Sequence, residues 1–240
     1  MSATYNLSRH TIIVESTKRI PVYLSRPTVP DKKPGLILLH EWWGLNQHIK
    51  DIADRFASLG YVIAAPSLYA GTVANDVEEA RKLSASITKQ LSAQMIQAVF
   101  DYMEMSEFVN HRRIGIVGYC FGGTHAFNYA CESTDRISAA AIFYASKLQD
   151  ETRLAKITAP SIIIYGDNDQ TVNIEQVREL EATLKKLKKN AQVIIYPDAP
   201  HAFCNDTNPQ RYRPEAAKDA WEKTVAFFEA NLNSPPKRKT

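Results

Sequence analysis

Cys120 is the residue of this chain best placed to do chemistry. In Arg113-Ile114-Gly115-Ile116-Val117-Gly118-Tyr119-Cys120-Phe121-Gly122-Gly123 an apolar, branched run ends at a glycine, and a lone cysteine sits between that glycine and two more. This is the spacing of a nucleophile elbow, with sulfur in place of a serine oxygen. The elbow is a tight strand-to-helix turn, and a side chain at position 118 or 122 would collide with neighbouring backbone. It lifts the sulfur to the N-terminus of the next helix, whose positive end favours thiolate. The plainer account is a small buried cysteine at an ordinary turn. The residues that follow argue against it. Gly166-Asp167-Asn168-Asp169-Gln170-Thr171-Val172 and Pro197-Asp198-Ala199-Pro200-His201-Ala202-Phe203 give the chain order nucleophile, acid, histidine. His201 is the candidate base that takes the thiol proton and returns one to the leaving group. Asp169 is the candidate that holds its tautomer. Asp167, directly after a glycine, competes as a turn cap, and Asp198 lies too close to His201 in sequence to reach its far nitrogen easily.

The second informative stretch is His40-Glu41-Trp42-Trp43-Gly44-Leu45-Asn46. A loop after the first buried strand supplies one oxyanion donor, and the residue after the nucleophile supplies the other, which assigns the backbone N–H groups of Trp42 and Phe121. Glu41 is unexpected, because a carboxylate near a thiol raises the thiol pKa. An exposed loop acid is its plain alternative. Trp42 and Trp43 fit a substrate wall or ordinary packing equally well. His10, His48 and His111 lie in polar contexts, and His125 reads as a packed or locally hydrogen-bonded ring.

Elements of the right kind must carry these residues. Short apolar segments at 11–15 and 20–24 predict a hairpin, with Pro21 pointing to an edge position. Continuous apolar runs at 35–40, 61–66, 114–117, 137–144 and 161–166, then 192–196, read as strands buried in a parallel sheet. Helices are expected over 47–59, over 76–103 as one helix or as two broken near Thr88, and over 122–131, 174–188 and 214–232. Alternating strands and helices predict an α/β fold, a mostly parallel sheet with helices on both faces. Catalytic residues of such sheets lie at the carboxyl ends of the strands. One domain over residues 1–240 is expected, with a frayed tail from about 234.

Composition narrows the function. The chain has 240 residues, 45% of them hydrophobic, which is ample for one core. A net charge of +3 without a basic, aromatic stripe points away from nucleic acid. No apolar run reaches the roughly 18 residues that span a membrane, and no secretory signal is visible at the N-terminus. Cys120, Cys131 and Cys204 fit neither a disulfide framework nor a zinc site, so the expectation is a cytoplasmic protein without metal or cofactor.

Together these motifs resemble the dienelactone hydrolase family of the α/β-hydrolase superfamily. The matching pieces are His40 to Asn46, Pro66-Ser67-Leu68-Tyr69, Gly118 to Gly123, Gly166 to Asp169, and His201-Ala202-Phe203. The resemblance implies an α/β-hydrolase fold and a triad of Cys120, Asp169 and His201. It implies that Glu41 interacts with the resting thiol and takes its proton once substrate is in place. Substrate-contact candidates are Trp43, Tyr69, Arg81, Phe203 and Arg211. The family's arginine four residues after the catalytic histidine is Asn205 here, so small or neutral acyl substrates are expected over carboxylated ones. The reading is a monomeric hydrolase of small-molecule lactones or carboxylic esters. Thioester or activated-ester hydrolysis on the same triad is one alternative. A non-catalytic redox-sensing or binding protein, acting through Cys120 and Cys204, is another.

Overall fold

The computed structural model describes residues 5–132 and 136–233, so the tail expected from about 234 lies outside the described residues. The strands are β1 (Leu7–Glu15), β2 (Arg19–Pro27), β3 (Lys33–Leu39), β4 (Val62–Pro66), β5 (Val109–Tyr119), β6 (Ala139–Phe143), β7 (Ser161–Gly166) and β8 (Ala191–Tyr196). The helices are α1 (Gln47–Ser58), α2 (Val77–Ser86), α3 (Lys89–Met105), α4 (Phe121–Ala130), α5 (Glu151–Leu154), α6 (Ile174–Lys186) and α7 (Pro214–Phe228). One sheet runs in the order β1-β2-β4-β3-β5-β6-β7-β8. The β1–β2 and β2–β4 pairs are antiparallel, and every pair from β4 to β8 is parallel. The fold is that of the α/β hydrolases.

The central strands are apolar throughout because both faces are covered: all residues of β4, β6 and β7 are buried. On one side Phe56 of α1 packs on Trp221 of α7 with ring centroids 4.4 Å apart. Elsewhere Phe100 of α3 stacks on Tyr129 of α4 at 5.5 Å. In α1 the buried set Ile49, Ile52, Ala53 and Phe56 recurs at helical spacing, the Asn46 side chain caps the start, and Gly60 follows its end at φ +98°.

Two features depart from the expected elements. Pro21 does not mark an edge, since β2 lies between β1 and β4. Pairing with β4 starts only at Val22, so the missing N–H of Pro21 falls outside that ladder, while its carbonyl accepts from Ser67 N at 2.8 Å. The terminal helix gives way after Phe228 to a π-helical turn, Glu229–Asn233. The break near Thr88 is present, and the Thr88 side chain caps α3 by accepting from Leu91 N.

The parallel register sets where chemistry is possible. Leu39 pairs with Gly118, Gly118 with Ile142, and Gly166 with Tyr196. The residues that follow these strands therefore emerge at one edge of the sheet: Glu41 after β3, Cys120 after β5, Tyr144 after β6, Asp169 after β7 and His201 after β8.

Candidate active site

Cys120 occupies the turn between β5 and α4 with φ +53° and ψ −112°, a conformation that L-residues rarely adopt. The glycines around it have a steric reason. A Cβ on Gly118 would strike the carbonyl of Gly122, and one on Gly122 would strike the carbonyl of Leu39. The elbow thus seats α4 directly against β3 and β5.

The Cys120 Sγ lies 3.1 Å from His201 Nε2. His201 Nδ1 lies 2.7 Å from Asp169 Oδ2. Both His201 and Asp169 side chains are buried, at 8% and 2% exposure. The other Asp169 oxygen accepts from the N–H groups of Thr171 and Val172, at 2.7 and 3.3 Å. Burial works to raise the Asp169 pKa, but the His201 hydrogen bond, the imidazole charge and these two N–H groups lower it overall. For His201, burial opposes the charged ring, and hydrogen bonds to Asp169 and the Cys120 sulfur outweigh it, raising the pKa to about 10. Asp167 is spent elsewhere, accepting from Asp198 N at 2.7 Å to tie the β7 and β8 loops together.

The Trp42 and Phe121 backbone N–H groups have no hydrogen-bond acceptor among the described residues. The loop that carries Trp42 is braced from below. His40 Nε2 accepts from Leu68 N at 3.1 Å, which leaves Nδ1 to donate to the Glu41 carbonyl at 2.7 Å. Full burial pushes the His40 pKa down to about 4 and keeps that ring neutral.

Glu41, two residues after β3, is buried. Its buried carboxylate accepts from Asn205 Nδ2 at 2.5 Å and from the Tyr144 hydroxyl at 3.3 Å, while the resting thiol lies on His201. Asn205 holds the carboxylate in the wall of the cleft. Desolvation raises the Glu41 pKa, opposed by charge from His48, by the Asn205 hydrogen bond, by His201 and by Tyr144. Tyr144 escaped the sequence reading, although its position directly after β6 obeys the rule that located the other groups. Its ring also packs edge-on against His201, with centroids 5.3 Å apart.

A cleft of about 1560 Å³ opens over Cys120. Trp43, Arg81 and Arg211 line it, as do Trp42 and Phe121. Arg81 and Arg211 make no ion pair among the described residues. Two expected substrate contacts do not reach it. Phe203 is fully buried and packs on Tyr144 and Tyr196, because the chain after His201 turns back into the core. Tyr69 is 4% exposed, packs on Phe121, and donates to the Trp42 carbonyl at 3.3 Å, which makes it a brace for the Trp42 loop. Arg213, two residues after Arg211, spends its guanidinium on the carbonyls of Asp198, Gln210 and Tyr212. Burial first, then the Glu41 carboxylate, pushes the Cys204 thiol pKa well up, which works against a redox partnership with Cys120.

Among the described residues no cluster of three or more His, Cys, Asp or Glu side chains is arranged to hold a metal, and no helix is long and apolar enough to cross a membrane. An elbow cysteine at the strand ends of this sheet is the layout of an α/β hydrolase. The chain belongs to the dienelactone hydrolase family, whose sequence profile matches residues 20–232. A protein from Aquifex aeolicus named "Putative carboxymethylenebutenolidase" is 30% identical over 205 residues, covering 83% of this chain and 89% of its own. The protein named usf from Aquifex pyrophilus is 32% identical over 206 residues, with the same coverage. The crystal structure of a "Putative Dienelactone Hydrolase" from Klebsiella pneumoniae superposes with a TM-score of 0.86 at 25% identity, covering 93% of this chain and 98% of that one.

Proposed function

We propose that the protein hydrolyses small-molecule lactones or carboxylic esters with Cys120 as nucleophile. The observation that carries this reading is the continuous chain from Cys120 Sγ through His201 to Asp169, at 3.1 and 2.7 Å. His201 Nε2 takes the thiol proton as the sulfur attacks the acyl carbon, and the developing oxyanion accepts from the N–H groups of Phe121 and Trp42. The carbon–oxygen bond breaks, and the alcohol leaves with a proton from His201 Nε2. For a lactone the alcohol remains tethered to the acyl group. Water then gives a proton to His201 and its hydroxide to the thioester carbon. The acid leaves, and the sulfur returns to His201. Asp169 holds the imidazole in the tautomer this cycle needs. Glu41 acts on the thiol indirectly, through the charge it presents to His201 from the cleft wall. The free thiols Cys120, Cys131 and Cys204 suit a reducing cytoplasm, and a monomer suffices for a cleft formed by one chain.

The test is a panel of lactones, p-nitrophenyl esters of increasing acyl length and one acyl thioester, with the Cys120→Ala protein as blank. Turnover of the oxygen esters and lactones by the wild type alone supports the reading. Turnover of the thioester alone replaces it with thioesterase chemistry, and turnover by folded Cys120→Ala overturns the nucleophile.

A further inference from the structure

Trp42 has three polar groups, and two of them are tied. Its carbonyl accepts from the Tyr69 hydroxyl at 3.3 Å, and its indole Nε1 donates to Ser84 Oγ of α2 at 2.8 Å. The third, the backbone N–H, has no acceptor among the described residues and is the candidate oxyanion donor. A backbone rotation at residue 42 that redirected this N–H would swing the indole away from Ser84 or the carbonyl away from Tyr69. The Ser84 hydroxyl is itself oriented. Its own proton goes to the Arg81 carbonyl at 3.1 Å, which leaves a lone pair for the indole.

The helix that carries Ser84 is lightly held. Of the ten residues of α2, only Ala80 is buried. Its ion pair, Lys82 with Glu78, lies within the helix. Among the described residues, the Ser84–Trp42 bond is the one side-chain hydrogen bond that joins α2 to another part of the fold. The stretch leading into the helix is joined to the same loop. Ala74 N donates to the Trp43 carbonyl at 2.9 Å, and Gly44 pairs with Val73 in an antiparallel bridge. The loop after β3 and the segment 73–84 therefore form a closed circuit, joined at residues 43–44 and again at Ser84. Val77, Arg81 and Ser84 line the cleft, so this circuit borders the space a substrate enters.

We propose that Ser84 is a positioning residue for the oxyanion site. By holding the Trp42 indole it fixes the direction of the Trp42 N–H and links that donor to the placement of α2. This role rests on the hydrolase reading above and deepens it. A donor aimed in advance at developing charge acts on the chemical step, so the tie governs kcat more than KM. The bond is neutral and half-buried, so its loss slows the reaction on the order of fivefold and does not abolish it.

The experiment measures kcat and KM for p-nitrophenyl acetate with wild type, Ser84→Ala, Ser84→Thr, Trp42→Phe and the Ser84→Ala/Trp42→Phe double variant. Ser84→Ala and Trp42→Phe are each expected to lower kcat on the order of fivefold with KM within about twofold. Ser84→Thr keeps the hydroxyl and a kcat within about twofold of wild type. The double variant is no slower than the slower single one, because both changes remove the same bond. An unchanged kcat in Ser84→Ala, an equal loss in Ser84→Thr, or losses that multiply in the double variant overturn the proposal. The two Ser84 variants decide the matter if Trp42→Phe fails to fold. A second measurement stands apart from turnover. Glu41-Trp42 is the one Glu-Trp step in the chain, so carbonyl labelling of glutamate with nitrogen labelling of tryptophan isolates the Trp42 amide resonance. That resonance is expected to move in Ser84→Ala and to hold its place in Ser84→Thr. An amide that stays put in Ser84→Ala overturns the proposal. A moved amide in a protein that hydrolyses no ester keeps Ser84 as the residue that orients Trp42 and removes the hydrolase reading.

Discussion

Asn205 donates from Nδ2 to Glu41 Oε2 at 2.5 Å, across 164 residues of chain. This bond fixes a buried carboxylate close to His201, in a place where burial alone would drive it toward its neutral form. The protein thus keeps a costly group under restraint at the candidate site, and the cost has a measurable sign.

Glu41→Gln is expected to stabilise the protein and impair turnover. The Glu41 pKa is raised on folding from its ordinary 4.5, so the native state binds the extra proton and stability declines as pH rises from about 4.5 through the raised value. Glutamine removes that penalty and keeps an oxygen for Asn205. The gain is on the order of 1 kcal/mol, a few degrees in Tm at neutral pH, with a fall in kcat. A Tm at or below that of wild type would contradict this account.

Cys120→Ala is expected to lose at least ~10⁴ in kcat toward any substrate of the wild type while keeping its circular dichroism. The loss concerns the chemical step, since a smaller side chain at the half-buried turn leaves the sheet and α4 in contact.

Asp169→Asn is expected to cost on the order of 10⁴ in kcat, because an amide presents the wrong hydrogen-bonding partner to His201 Nδ1. Asp167→Asn keeps an acceptor for Asp198 N and leaves the rate within a few-fold of wild type. Equal losses in the two variants would show that loop geometry, and not orientation of the imidazole, governs the rate.

The stability that His201 gains from its partners has a defined pH window. Its pKa rises on folding from 6.5 to about 10, against its own desolvation. The contribution is therefore fully present below about pH 6.5 and is lost as pH rises through about 10. Urea midpoints measured between pH 6 and 10.5 should fall more steeply for wild type than for His201→Asn, whose side chain does not titrate. Parallel curves would refute the assignment.

The sequence carried the sheet and its reactive edge because both are written locally. Glycines at 118 and 122, the apolar run before Cys120 and the turn residues after β7 and β8 each have one structural meaning wherever they sit. What escaped it depends on tertiary packing. Phe203 lies two residues after His201 and reads as a substrate contact, but the turn sends it into the core. Tyr69 looks like a pocket residue until the Trp42 loop is laid over it.

The common edge at which β3, β5, β6, β7 and β8 deliver their residues also governs when the molecule becomes competent. Cys120 and His201 are separated by 81 residues and Glu41 and Asn205 by 164, so no subset of neighbouring segments contains the site. Loops of that span close late and slowly, after the local helices have formed. A chain emerging N-terminus first holds its thiol for the whole interval before β8 docks, with no imidazole to pair with it. Reactivity toward an acyl substrate then reports completion of the last strand, and on refolding it should return after the aromatic fluorescence of the core, as the final event in assembly.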